Sequence, residues 1–174
     1  NFREQSEGIL GLPVLGSISV IKEFEPASTD IFLAIGDNEQ RKKLFLEPVL
    51  QGFDFPNLIH RTALVDPSAH YGKGNFFGPF SQIGPMVKIG SANIINSYAN
   101  IEHQTEIGDY NQIAPNVVIC GKCKIGSQVF IGANATLIDR LSIVDQTVVG
   151  AGAVITKNIS EMNHTFVGIP GRKI

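Results

Sequence analysis

His103, flanked by Glu102 and Gln104, is the side chain of this 174-residue sequence best placed to move a proton near neutral pH. An amine or hydroxyl that attacks an acyl group must lose a proton as it does so, and imidazole is the usual acceptor. The other histidines, His60, His70 and His164, share no spacing with it. A metal centre would need three of them to converge, so no metal is expected. Cys120-Gly-Lys-Cys123 is a lone C-x-x-C without a second pair or a nearby histidine, and it reads as structural. Lys157, Arg172 and Lys173 collect toward the C-terminus, where they either meet phosphates or are simply solvated.

What positions His103 is a repeat. Every sixth residue from Val65 to Ile155 is apolar or aromatic, and from Ile83 onward each is Ile, Val or Leu. With 43% apolar residues, such a run arises by chance about once in 10⁵ trials, so the period is a property of the fold. The residue two before each is mostly small or β-branched (Ala63, Ser81, Val87, Ala99, Thr105, Cys123), and glycine often follows. Six residues make one short strand and a corner, with the aliphatic residue inward and glycine letting the chain turn. Three sides close a triangular coil of 18 residues, and coils stack at about 4.8 Å by parallel pairing. The fold class is therefore mainly β, a parallel β-helix shaped as a triangular prism. His103 lies two after inward Ile101 and should project outward near a corner, with Pro85 and Gly121 as its neighbours one coil away. A glycine there leaves space over the imidazole.

The first third differs. Ile31–Ile35 is an apolar run closed by Gly36-Asp37-Asn38, and Glu39 to Leu50 carries a helical pattern with Arg41, Lys42 and Lys43 on its polar side. Strand, glycine turn and helix make half of an α/β Rossmann-like nucleotide unit, truncated here. Upstream, Pro13–Ser17 reads as a strand or turn leading into a short helix at Ile18–Phe24, and periodicity stops after Thr156. The expected units are 1–58, a partial α/β nucleotide-type unit; 59–158, the prism; and 159–174, a capping tail. A net charge of -2 argues against a protein that coats nucleic acid, and no apolar run approaches the roughly 18 residues of a membrane helix. Two cysteines fit a reducing compartment, hence a cytoplasmic expectation. The first residue is Asn1 rather than Met, which leads us to expect an upstream segment.

Several motifs resemble the NeuD/PglD group of hexapeptide acyltransferases, sugar O- and N-acetyltransferases of bacterial glycan pathways. They are Gly11-Leu12-Pro13-Val14-Leu15-Gly16, Ala34-Ile35-Gly36-Asp37-Asn38 with the Arg41-Lys42-Lys43 helix, Ile95-Asn96-Ser97, Ile101-Glu102-His103 and Val167-Gly168-Ile169-Pro170. The resemblance covers nearly the whole chain and implies a left-handed prism, a homotrimer and acetyl-CoA bound between adjacent prisms. It implies His103 as general base in direct transfer, on the amine of a nucleotide-linked amino sugar or on a sialic acid hydroxyl. Gly121, Ala133 and Ala151 would let acetyl-CoA approach the main chain, with Lys157, Arg172 and Lys173 toward its phosphates. Gly36 and Asp37 would line the nucleotide-sugar site, although a plain strand-to-helix turn needs no ligand. Asn96 either holds the acceptor or base, or is a corner asparagine in left-handed backbone. Two departures stand out. Gln104 replaces the acidic residue that usually follows this histidine, so either Glu102, favoured over Glu106, supplies the carboxylate or the base is weaker; and Gln112 stands near the place of a second histidine. The group's opening strand and glycine-rich loop are absent from this sequence. The non-catalytic alternative is a β-helix scaffold or binding module.

Overall fold

The computed structural model describes residues 8–174, so the first seven residues of the expected front unit lie outside it. From Leu58 to Ile155 the chain is a series of two-residue strands recurring every six residues. Each strand pairs in parallel with those 18 residues before and after it, which stacks Ile95, Ile113 and Ile131 in one column. Three sheets result, of eight, six and five strands. The first face runs from Leu58–Ile59 through Ile94–Ile95 and Phe130–Ile131 to Thr165–Val167 and the antiparallel Arg172–Lys173. The second runs from Leu64–Val65 through Asn100–Ile101 and Val118–Ile119 to Val154–Ile155, and the third from His70–Tyr71 to Ser142–Ile143. The repeat opens one hexad before Val65, because Leu58–Ile59 already pairs with Phe76–Phe77. His60 thus stands on the first corner, inside the repeat.

Two side chains per hexad fill the interior. Ile95, Ile101, Ile113, Ile119, Ile131 and Leu137 are fully buried, as are Ser81, Val87, Ala99, Thr105, Cys123 and Ala135 two residues before aliphatic positions. Burying each large aliphatic side chain contributes about 1.5–3 kcal/mol. Along one inner corner Asn57, Asn75, Asn93 and Asn111 form a ladder, in which each side-chain oxygen accepts the backbone N–H one coil on. This keeps three fully buried amides, Asn75, Asn93 and Asn111, from being unpaired at their acceptor ends.

Glycines make few of the turns. At most corners the left-handed residue lies three after the aliphatic one and is not glycine: Phe80, Met86, Tyr98, Gln104, Asn116 and Lys122 have φ between 56° and 62°, while Gly74 and Gly152 hold that place at two others. Left-handed backbone costs roughly 1–2 kcal/mol, offset here by hydrogen bonds between coils, such as Gln104 N–H to Pro85 O and Lys122 N–H to His103 O, both 2.9 Å. Glycines directly after the aliphatic residue answer a different need. A Cβ on Gly132 would come within 2.5 Å of the Ala151 nitrogen, and one on Gly78 within 2.8 Å of that of Ser97. They let adjacent coils approach.

Ahead of the prism, Ile18–Glu23 is a 3-10 helix and α1 spans Asn38–Phe45, capped by Asp37, whose Oδ1 accepts from Gln40 N–H. The helix stops short of the expected Leu50, since Pro48 cannot continue it and opens a 3-10 turn instead. The expected strand at Ile31–Ile35 forms no ladder among the described residues. It is tied at one end, where Asp30 bridges Asp54 and Ile31 N–H reaches Asp54 O. Arg41 does not sit on a polar face: it is 1% exposed.

Candidate active site

The three edges of the prism carry different candidates. On the edge between the second and third faces, 102–105 stacks over 84–87 and under 120–123. His103 is exposed there, and its ring lies flat against buried Gly121: a Cβ on that glycine would meet Nε2 at 2.6 Å and Cε1 at 2.7 Å. The space that glycine opens is therefore filled by the imidazole itself. Nδ1 lies 3.2 Å from Gln104 Oε1. An amide oxygen only accepts, so this contact keeps the proton on Nδ1 and the lone pair on Nε2. Neither expected carboxylate is the ring's partner. Glu102 Oε1 accepts from Asn100 Nδ2 at 2.8 Å, and Glu106 pairs with Lys88 at 3.2 Å. Side chains of Glu102 and Glu106 leave the corner along the second and third faces, whereas Gln104 sits on the left-handed turn beside the ring. Nearby, Cys123 is buried with its thiol donating to Ile138 O, and burial pushes that thiol's pKa up.

On the edge between the first and second faces stand Asn96, Ala133 and Ala151. Asn96 is half-buried and is not the left-handed residue of its corner; Tyr98 is, and it stacks on Phe80 with ring centroids 5.0 Å apart. Ala151 lies one coil beyond Ala133, but Gly121 belongs to the other edge, so the three do not line one track on a single chain. Beyond the last coil, Lys157 and Arg172 are exposed, while Lys173 bonds Glu161, which also pairs with His164.

The third edge holds the front unit. Gly36 and Asp37 line a cleft of about 570 Å³ whose opposite wall is the first face of the prism, including Gln112, Phe130 and Val148. Sequence reasoning missed the residue that fixes this arrangement. Arg41 donates from Nε to Ala92 O (2.8 Å), from Nη1 to Ile35 O (2.8 Å) and Gly36 O (2.9 Å), and from Nη2 to Tyr110 O, Asn111 O and Asn38 Oδ1. Burial lowers its pKa to about 10, with Asp37 opposing the shift, so the guanidinium is charged at neutral pH. Asn38 Nδ2 to Val129 O and Lys42 Nζ to Gln128 Oε1 extend the contact over the next coil. A helix whose positions 38, 41 and 42 face the same side was the available signal; three adjacent basic residues suggested solvent instead.

Among the described residues no group of three His, Cys, Asp or Glu could hold a metal ion, and no helix is long and apolar enough to cross a membrane. Comparison with known proteins agrees with this architecture. The bacterial transferase hexapeptide (six repeats) family matches residues 86–121 and 104–139, and the PglD N-terminal domain matches residues 2–47. PerB from Caulobacter crescentus, solved with CoA and GDP-perosamine, is similar over 95% of this chain and 80% of its own, with 30% identity and TM-score 0.91. The acetyltransferase domain of PglB from Neisseria gonorrhoeae, solved with acetyl coenzyme A, is similar over 96% of this chain and 81% of its own (27% identity, TM-score 0.91). WeeI from Acinetobacter baumannii is similar over 98% and 82% (26%, TM-score 0.84). A curated relative, the uncharacterized protein L142 of Acanthamoeba polyphaga mimivirus, is 34% identical over 73 residues, which is 42% of this chain and only 14% of that protein. With the repeat, the prism and the front unit all shared across most of both chains, the protein belongs to the NeuD/PglD-like family of hexapeptide-repeat sugar acetyltransferases.

Proposed function

We propose that this chain transfers acetyl from acetyl-CoA to the amine of a nucleotide-linked amino sugar used in bacterial surface glycan synthesis, with His103 as general base. The observation that carries the reading is the imidazole seated on Gly121, with Gln104 at Nδ1 and Nε2 left to accept a proton. As the amine attacks the thioester carbonyl, the new C–N bond forms, the proton passes to Nε2, and the C–S bond breaks. The proton then leaves with the CoA sulfur. A neutral amide orients the ring but does not stabilise the imidazolium as a carboxylate would, so proton uptake relies on His103 itself. N-acetylation is placed ahead of O-acetylation because a GDP-perosamine N-acetyltransferase from Caulobacter crescentus is similar to this chain, at 29% identity and TM-score 0.92.

His103, the cleft at Gly36 and Asp37, and the first-edge residues Asn96, Ala133 and Ala151 lie on three different edges of one prism. Three chains packed about a common axis would set one chain's His103 against another's cleft, and this supports a homotrimer with its sites between subunits. The basic residues Lys157 and Arg172 remain available to CoA phosphates, and Lys173 less so, given its bond to Glu161. The test is CoA release followed by thiol titration, with acetyl-CoA and GDP- or UDP-linked 4-amino sugars. Turnover abolished in His103→Ala is expected. Turnover unchanged in that variant overturns the role of His103, and turnover with sialic acid alone would replace the acceptor.

A further inference from the structure

Arg41 carries a buried charge with no carboxylate among its hydrogen-bond partners. Its five N–H donors meet five backbone carbonyls and one side-chain amide oxygen. Two of the carbonyls, of Ile35 and Gly36, belong to the loop beside the cleft; three, of Ala92, Tyr110 and Asn111, belong to successive coils of the prism. A guanidinium fork suits this bridging, because its donors diverge in one plane. Lysine places three protons at one point and reaches one side or the other.

The loop's geometry follows from these bonds. In a trans peptide the C=O and the following N–H point in opposite directions, and both peptides here are trans. Drawing the oxygens of Ile35 and Gly36 toward the Arg41 guanidinium therefore turns the N–H groups of Gly36 and Asp37 away from it. Neither N–H has a hydrogen-bond partner among the described residues, and both residues line the cleft. Gly36 has open space where a Cβ would stand, so nothing in its own packing selects this orientation. Asp37 Oδ1 is already taken by Gln40 N–H, which leaves the two backbone donors as the loop's fixed polar contribution to the cleft.

We propose that Arg41 is the positioning residue of the acceptor site, coupling the Gly36–Asp37 loop to the prism and holding its two N–H groups toward an oxygen of the nucleotide sugar. This rests on the acceptor reading given above. It predicts a specific split in the kinetics. Arg41→Lys keeps the charge and much of the volume but loses the bridge. KM for the nucleotide sugar should rise at least tenfold while KM for acetyl-CoA stays within twofold, because the residues assigned to acetyl-CoA, Gly121, Ala133 and Ala151, stand on the other two edges. Lys42→Ala serves as the comparison: it cuts another bond between α1 and the prism, to Gln128, without touching the loop carbonyls. It should lower the melting temperature and leave both KM values within twofold.

The experiment measures CoA release in the full chain, varying GDP-, UDP- and dTDP-linked 4-amino sugars against saturating acetyl-CoA, and the reverse. Arg41→Lys with unchanged KM for the nucleotide sugar overturns the proposal. So does a rise in both KM values together, or a Lys42→Ala variant with the same nucleotide-sugar defect, since either would mean that Arg41 only anchors the helix. If the wild-type chain turns over none of these sugars, the acceptor reading itself fails and the role of Arg41 fails with it. That outcome is distinct, because it shows before any variant is compared.

Discussion

Replacing Gly121 with alanine should inactivate the enzyme without unfolding it. The added Cβ would stand 2.6 Å from His103 Nε2, where ordinary contact begins at 3.4 Å, so the ring must move by about 0.8 Å (3.4 − 2.6) or swing away. The obstacle is the tip of an exposed side chain, and φ at Gly121 lies outside the left-handed region, so the fold accommodates the change at little cost. Gly→Ala at a compatible position gains about 0.4–1 kcal/mol through the unfolded state, enough to offset lost ring packing. Catalysis is less tolerant. A base displaced by about 1 Å from its reacting partner loses on the order of 100-fold in rate, which is about 2.7 kcal/mol of barrier. Thiol titration of released CoA gives kcat, and thermal unfolding gives stability on the same preparations. We expect kcat down by 30- to 100-fold with the melting temperature within about 2 °C of wild type. If Gly121→Ala keeps kcat within threefold while His103→Ala is dead, the imidazole does not work from its seat on Gly121, and the reasoning fails.

The same substitution at Gly132 should do the opposite. There the Cβ would meet the Ala151 nitrogen at 2.5 Å, backbone that cannot swing aside, and a loss of roughly 1–3 kcal/mol is expected in denaturant unfolding. At the C-terminus, Lys173 and then His164 hold the Glu161 carboxyl below its ordinary pKa. A depressed folded-state pKa adds stability that is present above the unfolded value and is lost as pH falls through the folded one. Hydrogen exchange should therefore show the Arg172–Lys173 strand loosening in acid, below the usual glutamate range, while the central coils hold. A Glu161→Gln variant should remove that pH dependence. Light scattering should give about three times the 18.8 kDa chain mass; a stable monomer that is fully active would refute a site shared between subunits.

The prism was legible because a solenoid writes its geometry into a single period. Ile83 to Ile155 each occupy the same place in a coil, so one column of aliphatic residues reports every strand at once. What the period did not reveal was the division of labour at the corners. Glycine directly after the aliphatic residue suggested a turn, but Gln104, Asn116 and Lys122 make the left-handed turns, while Gly78 and Gly132 allow coils to stack. Composition alone cannot separate these roles. A backbone that needs left-handed φ and one that needs closeness both leave a glycine-rich sequence, and only the register shows which residue does which.

The candidate site was legible in part, and the reason lies in how far its contacts reach along the chain. His103 and Gly121 are 18 residues apart, one coil, so their contact follows from the repeat once the strand phase is known. Gln104 against Nδ1 is local, yet the choice between Gln104 and Glu102 depended on which side chain turns along a face, and Asn100 decided it by binding Glu102. Arg41 lies beyond any such inference. Its partners Ala92, Tyr110 and Asn111 are 51 to 70 residues away, all offer backbone carbonyls, and carbonyls carry no sequence signature. A basic triplet next to a glycine turn reads as surface unless the prism edge beside it is known. Residues that join two units through the main chain of one of them are thus the least visible in sequence. Here that residue ties the Gly36–Asp37 loop beside the cleft to the prism.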